Sequence, residues 1–287
     1  MHKTDTPQDQ TSAPPSGWKA ELGIGFAASH GRTILSRRHH RGPLTVQRPF
    51  YPEGDEVCHV YALHPPGGIV GGDELRLEVE SAPGSHGLVT TPSANKFYRS
   101  AGPIARQTQS LQVQDTASLE WLPLETIVYP GAKACLETRV DLSGNAQFFG
   151  WDILCFGLPA SSQPFTEGVL TQSVEVFRDG EPVLLERTLF QGGSAMLEAK
   201  WGLDGATVFG TLIATGGSGE SEERIQHRLG ARRTNGQCAL TRFDGLTVCR
   251  AMGDNAFDVR DTLALAWMEL RKESLGRAAC PPRVWNT

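Results

Sequence analysis

Residues 75–80 read Leu-Arg-Leu-Glu-Val-Glu, and this short stretch decides the class of fold. Leu75, Leu77 and Val79 fall on one face and Arg76, Glu78 and Glu80 on the other. That is the period of two of a strand with one buried side. Upstream, residues 55–64 alternate in the same way. Val57, His59, Tyr61 and Leu63 point one way, and Cys58, Val60, Ala62 and His64 the other. Downstream, further strands are expected at 86–91, 106–115, 118–122, 134–142, 146–156, 172–179, 182–190, 195–201, 206–215, 238–243 and 246–252. Turn signals separate them at Pro83-Gly84, Asp115-Thr116, Ser143-Gly144-Asn145, Asp179-Gly180 and Asp244-Gly245. The expected class is all-β (mainly β): many short strands in a sandwich, a barrel or stacked, β-helix-like sheets. No short sequence repeat marks a regular solenoid.

Composition agrees. The 287 residues include 32 Gly and 18 Pro, which favour many short elements over a few long helices. Hydrophobic residues make up 39%, enough for a sizeable core. With 27 Lys and Arg against 32 Asp and Glu, the net charge is −5. That argues against a general nucleic-acid binder and against a surface held to acidic lipid by charge. No apolar run approaches the ~20 residues that span a bilayer. The six cysteines are scattered, without a Cys-x-x-Cys pair, as in a reducing compartment. Residues 1–17 are polar and proline-bearing and are read as a disordered tail before a single β-rich domain over 18–287. They lack the apolar stretch of a secretory signal.

Helices are few. Residues 220–229 have an acidic start and a basic end that suit the helix dipole. The clearer helix is 258–275, where Val259, Leu263, Trp267 and Leu270 make one apolar stripe, with Asp258 to cap its start and Gly276 its end.

Two stretches stand out as motifs. The first, His-Pro-Pro-Gly-Gly-Ile-Val-Gly-Gly-Asp at 64–73, couples stiff prolines to permissive glycines, with Ile69 and Val70 as an apolar tip. A phosphate cradle does not fit, because a strand rather than a helix follows the glycines. Asp73 is then either a turn residue or a functional acid. The second, Thr-Thr-Pro-Ser-Ala-Asn-Lys-Phe-Tyr-Arg-Ser at 90–100, sets Lys96, Tyr98 and Arg99 beside Phe97. It reads as a surface segment anchored by Phe97, or as a partner-binding surface. Two acids interrupt apolar strands: Asp152 in Phe-Phe-Gly-Trp-Asp-Ile-Leu and Glu186 in Val-Leu-Leu-Glu-Arg. Each is either paired, Glu186 with Arg187 or Arg178 for instance, or lines a polar cavity. Glu125 reads as a solvated loop residue. Cys58 and His64 share a strand face but lie about 20 Å apart at roughly 3.3 Å per residue, so they cannot hold one ion. No tight metal site and no catalytic frame are expected.

The strings at 47–54, 58–75, 88–100, 119–132 and 150–159, continued by 167–170, 182–187 and Pro-Pro-Arg-Val-Trp at 281–285, together resemble the urease accessory protein UreD (UreH) family. The resemblance covers about residues 18–287. One departure is Ser93-Ala94-Asn95-Lys96, where family members often carry Gly-Ala-Ser/Thr-Lys. The resemblance implies a non-catalytic, cytoplasmic, mostly β protein that works with UreF, with the GTP-hydrolysing UreG and with urease apoprotein in assembling the urease nickel centre. It implies no tightly bound cofactor and a transient Ni²⁺ on an internal passage bearing Asp73, Asp152 and Glu186. His64, Gly68, Gly72, Lys96, Tyr98 and Arg99 are its motif and partner-binding candidates. Trp285, beyond two prolines, is expected as an exposed anchor for UreF. The competing reading is a hydrolase or lyase on an all-β fold using Asp152, Glu186 or Lys96. A third is a plain adaptor that leaves nickel to others.

Overall fold

A computed structural model describes residues 17–230 and 236–286. Its centre is a chain that passes repeatedly between two sheets. Strand Glu74–Ser81 lies in a seven-stranded sheet, His86–Thr90 in a larger one, Ala105–Val113 back in the first, and Ser118–Trp121 in the second. Lys133–Leu142, Gln147–Leu158 and Val169–Arg178 continue the alternation. Neighbours within each sheet run parallel through these passes, giving a solenoid-like stack. The corners repeat although the sequence does not. Ser85, Ala117 and Ala146 each donate a backbone N–H to the carbonyl three residues earlier, at Ala82, Gln114 and Ser143. All three are small and buried, which lets successive corners pile up.

Antiparallel strands close the stack. Arg32–Arg41 and Glu181–Gln191 edge the seven-stranded sheet. Val208–Thr215, Leu246–Gly253 and Gln237–Phe243 extend the larger one. The main core fills the space between the sheets. A second core lies on the outer face of the larger sheet, where Phe149, Trp151, Ile153 and Leu212 meet the helix Ala256–Leu275. The result is three layers, sheet on sheet with helices covering one side. Among the described residues no helix is long and apolar enough to cross a membrane.

The all-β expectation and both helices hold, with local corrections. Residues 195–201 are not a strand. Ala195–Glu198 is one helical turn, formed by four strong helix formers, with Leu197 buried. The long helix begins two residues before Asp258, and its cap is Asn255, whose side chain accepts from the N–H of Phe257 and Asp258. Gly276 ends it in the left-handed region, as expected. Strands Lys19–Ser29 and Arg32–Arg41 were not anticipated. The second lies at an edge with mostly exposed side chains, which hides its alternation. Of the expected tail, residues 1–16 lie outside the described residues, and Gly17 packs on the backbone of Gly72.

Candidate functional site: two cavities between the sheets

Strand Gln147–Leu158 sends Trp151 and Ile153 outward under the helix, so by alternation Asp152 points inward between the sheets. There it lines two cavities, one of about 370 Å³ and one of about 70 Å³. Both are walled by Asp152 and Trp121. Amides and hydroxyls stand among the aliphatics that line them, such as Leu75, Leu77, Val140 and Val174. Gln172 Nε2 donates to Asp152 Oδ2 at 3.3 Å, Thr138 Oγ1 to Gln109 Oε1 at 3.1 Å, and Asn95 Nδ2 to Gln107 Oε1 at 2.9 Å. Burial pushes the Asp152 carboxyl up to about 6, against the opposing pull of the hydrogen bond from Gln172. The Trp121 indole N–H is buried with no protein acceptor among the described residues. An N–H so placed costs about 1–3 kcal/mol unless water or a ligand accepts from it. The larger cavity has room for water.

Each cavity is also lined by another expected residue. His64 and Gly67 line the smaller one. Burial lowers the His64 pKa and so favours the neutral imidazole, partly offset by the negative charge of Asp73, which favours the protonated one. Glu186 lines the larger cavity with Thr188 and Arg250. Its partner is Arg250, across on the larger sheet, and neither Arg187 nor Arg178. The pair is partly exposed, at 31% and 35% of the two side chains. His64 and Asp152 thus line the smaller cavity, and Asp152 and Glu186 the larger. Among the described residues no three His, Cys, Asp or Glu side chains gather as a metal-ligating group.

Asp73 lines neither cavity. Its carboxylate is 93% buried and committed to the backbone, with Oδ1 accepting from Trp18 N–H at 2.7 Å and Oδ2 from Val70 N–H at 3.0 Å. It pins the chain start to the glycine loop. The two sequence motifs are brought together here. Ile69, fully buried, bridges to Phe97, and the Tyr98 ring covers Gly68, where an added Cβ would come within 2.1 Å of the ring. Tyr98 in turn packs on Tyr129 at 4.8 Å between centroids. Gly72 has φ +95°, a turn conformation a side chain resists. Lys96 gives its backbone carbonyl to Ile69 N–H, and Arg99 pairs with Glu167 at 2.5 Å on the surface. The arrangement joins two loops and brings no acid–base pair to a cleft.

Trp285 is a correction. It is 93% buried rather than an exposed anchor. Its N–H donates to Thr90 Oγ1 at 2.9 Å, and its ring packs on Trp151 and Trp267. The stripe Val259, Leu263, Trp267 and Leu270 is likewise buried against the chain's own sheet. Glu125 is not a free loop residue, since it pairs with Arg260 at 3.3 Å.

Sequence reasoning missed a buried charge network beneath the same helix. Arg271 meets Glu120 and Glu53, Glu120 also receives Trp267 Nε1–H at 2.6 Å, and His86 and His59 approach the two carboxylates at 2.6 and 2.7 Å. The available signal was Arg271 four residues after Trp267, on the apolar face of the helix, which demands a carboxylate on the facing strand.

A model of the family described as UreD urease accessory protein matches residues 19–286. The urease accessory protein UreD of Alcanivorax borkumensis is 42% identical over 275 residues, covering 94% of this chain and 93% of that one. That of Dechloromonas aromatica is 42% identical over 286 residues, covering 98% of each. That of Pseudomonas fluorescens is 43% identical over 270 residues, covering 94% and 95%.

Proposed function

Because the chain belongs to the UreD family of urease accessory proteins, we propose that it is a non-catalytic scaffold of urease maturation that lets Ni²⁺ pass through its interior. It would act with UreF and UreG and dock on urease apoprotein. The observation that carries this reading is Asp152, which lines both cavities beside a Trp121 N–H that has no acceptor among the described residues. A route of this kind offers an ion one ligand at a time: the His64 imidazole, the Asp152 carboxylate, then the Glu186 carboxylate. Single oxygen and imidazole ligands hold Ni²⁺ weakly, which suits transit. At the Glu186 end the ion must displace the guanidinium of Arg250, so that pair acts as a charged closure.

The test is activation of purified apo-urease by the wild-type chain and by Asp152→Leu and Glu186→Leu, together with UreF, UreG, nickel and GTP. Complex yield is measured in parallel. Both variants are expected to fold and join the complex yet activate urease poorly. Full activation by both would overturn the passage.

A further inference from the structure

On the outer face of the larger sheet, away from the passage, two thiols lie side by side. Cys249 belongs to strand Leu246–Gly253 and is fully buried; Cys238 belongs to the edge strand Gln237–Phe243 and is exposed. In the antiparallel register Cys238 faces Ala251 and Leu240 faces Cys249, so the cysteines are diagonal neighbours on one face. Their sulfurs are 3.4 Å apart, and Cys238 opens on a groove of about 770 Å³ lined by the edge strand, by Ala251 and Met252 of its neighbour, and by two helices at Gln226 and at Asp258 and Thr262.

We propose that Cys238 and Cys249 are a redox-active pair, in which Cys238 reacts with a hydroperoxide and Cys249 resolves it as a cross-strand disulfide. Three observations carry this. The groove gives a small oxidant access to Cys238 alone. The resolving sulfur is already in contact. And among the described residues Gln237–Phe243 has a paired neighbour on one side only, so its backbone can make the shift of roughly 1.4 Å that brings the sulfurs to bonding distance of about 2.05 Å. The electrostatics agree: a hydrogen bond from Cys249 lowers the Cys238 thiol, while that bond and burial raise Cys249.

The chemistry balances with one hydroperoxide. The Cys238 thiolate attacks an oxygen, the O–O bond breaks, and the departing hydroxide or alkoxide takes a proton, leaving a sulfenic acid. The Cys249 sulfur then attacks the Cys238 sulfur. The S–O bond breaks, and the leaving hydroxide takes the Cys249 proton as water. Two thiols are oxidised and one peroxide is reduced. The product ties the edge strand to the sheet.

The experiment treats the full-length protein with hydrogen peroxide and follows free thiols, intact mass and peptide linkage. The expected result is loss of two of the six thiols, loss of two hydrogens, and a linked Cys238–Cys249 peptide that a dithiol reductant reverses. In Cys249→Ser the sulfenic acid should persist at Cys238 and be trapped by dimedone; in Cys238→Ser neither product should form. Hydrogen exchange across 237–243 should slow on oxidation. Wild-type protein that goes to a sulfinic acid at Cys238 without the linkage, or that links other cysteines instead, would overturn the proposal. So would protein that keeps all its thiols under conditions that oxidise an unfolded control.

Discussion

Arg271 reaches from the long helix to Glu120 on the sheet beneath, with Nε 3.0 Å from one carboxylate oxygen and 3.1 Å from the other, and neither side chain is exposed. The same guanidinium reaches both oxygens of Glu53 at 2.9 and 2.8 Å and also bonds the carbonyl of Ala278. Helix, sheet, loop and C-terminal segment thus meet on one side chain. Well-made buried pairs add little net stability over an apolar core, but breaking one strands its partners.

Arg271→Met leaves Glu120 and Glu53 facing an apolar helix. The expected loss is about 3–5 kcal/mol, read as a lower denaturant midpoint at unchanged slope. A loss below about 1 kcal/mol, the range of an exposed pair, would show that water reaches the carboxylates.

Glu120 and Asp152 predict opposite pH slopes. Burial would raise Glu120, but His86, Arg271 and the Trp267 N–H outweigh it and hold the carboxyl down at about 2, below its ordinary 4.5. Its contribution is therefore complete above about pH 4.5 and is lost as pH falls toward 2. Glu120→Gln should be less stable than wild type at pH 7, and the gap should close over that acid window. Equal acid slopes for the two proteins would contradict this.

Asp152 runs the other way. Its folded-state value near 6 lies above the ordinary 3.8, so holding it ionised costs stability as pH rises from about 4 through 6. Asp152→Asn should then be more stable than wild type at pH 8, by up to about 3 kcal/mol if the cavity is dry and less if it is wet. The gain should vanish near pH 4. Calorimetry of both proteins at the two pH values decides the matter, and a variant less stable at pH 8 would refute the assignment.

Trp285→Ala removes a ring packed at 5.1 Å on Trp151 and 5.8 Å on Trp267. A loss of about 3–5 kcal/mol is expected, together with a change in tryptophan emission as Trp151 and Trp267 gain solvent. Truncation after Leu275 should do at least as much. Wild-type stability of the truncated chain would show that the tail is not part of the core.

Gly68→Ala drives a methyl into the Tyr98 ring. The expected cost is about 1–3 kcal/mol. In Gly68→Ala/Tyr98→Ala the two losses should be clearly less than additive, because the second change removes the clash. Strict additivity would separate the two motifs.

The stacked sheets were legible because their strands alternate cleanly: Leu75, Leu77 and Val79 on one side, charges on the other. Asp152 and Glu186 were legible as anomalies within apolar strands; Asp152 lines both cavities, while Glu186 both lines the larger one and pairs with Arg250. What stayed hidden depends on chain distance. Glu120 looks like any outward-facing strand acid until the helix covers it, and nothing local to Glu53, His59 or His86 announces Arg271. Trp285 misled for the same reason. Two prolines predict departure from the helix, but the pocket formed by Trp151, Trp267 and Thr90 belongs to three distant segments. Asp73 was rightly marked as unusual, yet its partners are the main-chain N–H groups of Trp18 and Val70, which side-chain patterns do not display.

The network also sets an order on the protein's birth. Glu120 waits for a partner 151 residues further along, and Glu53 for one 218 residues further. At about 5–20 residues per second on the ribosome, Glu53 has His59 beside it but lacks Arg271 for roughly 10–40 s, while the coils between them are made. The sheets can stack as they emerge, but their outer face stays charged and uncovered until the last helix leaves the exit tunnel. A nascent chain stalled short of Arg271 is thus a half-finished lid, open to chaperones and proteases. Closure of that face therefore depends on the segment that carries Arg271.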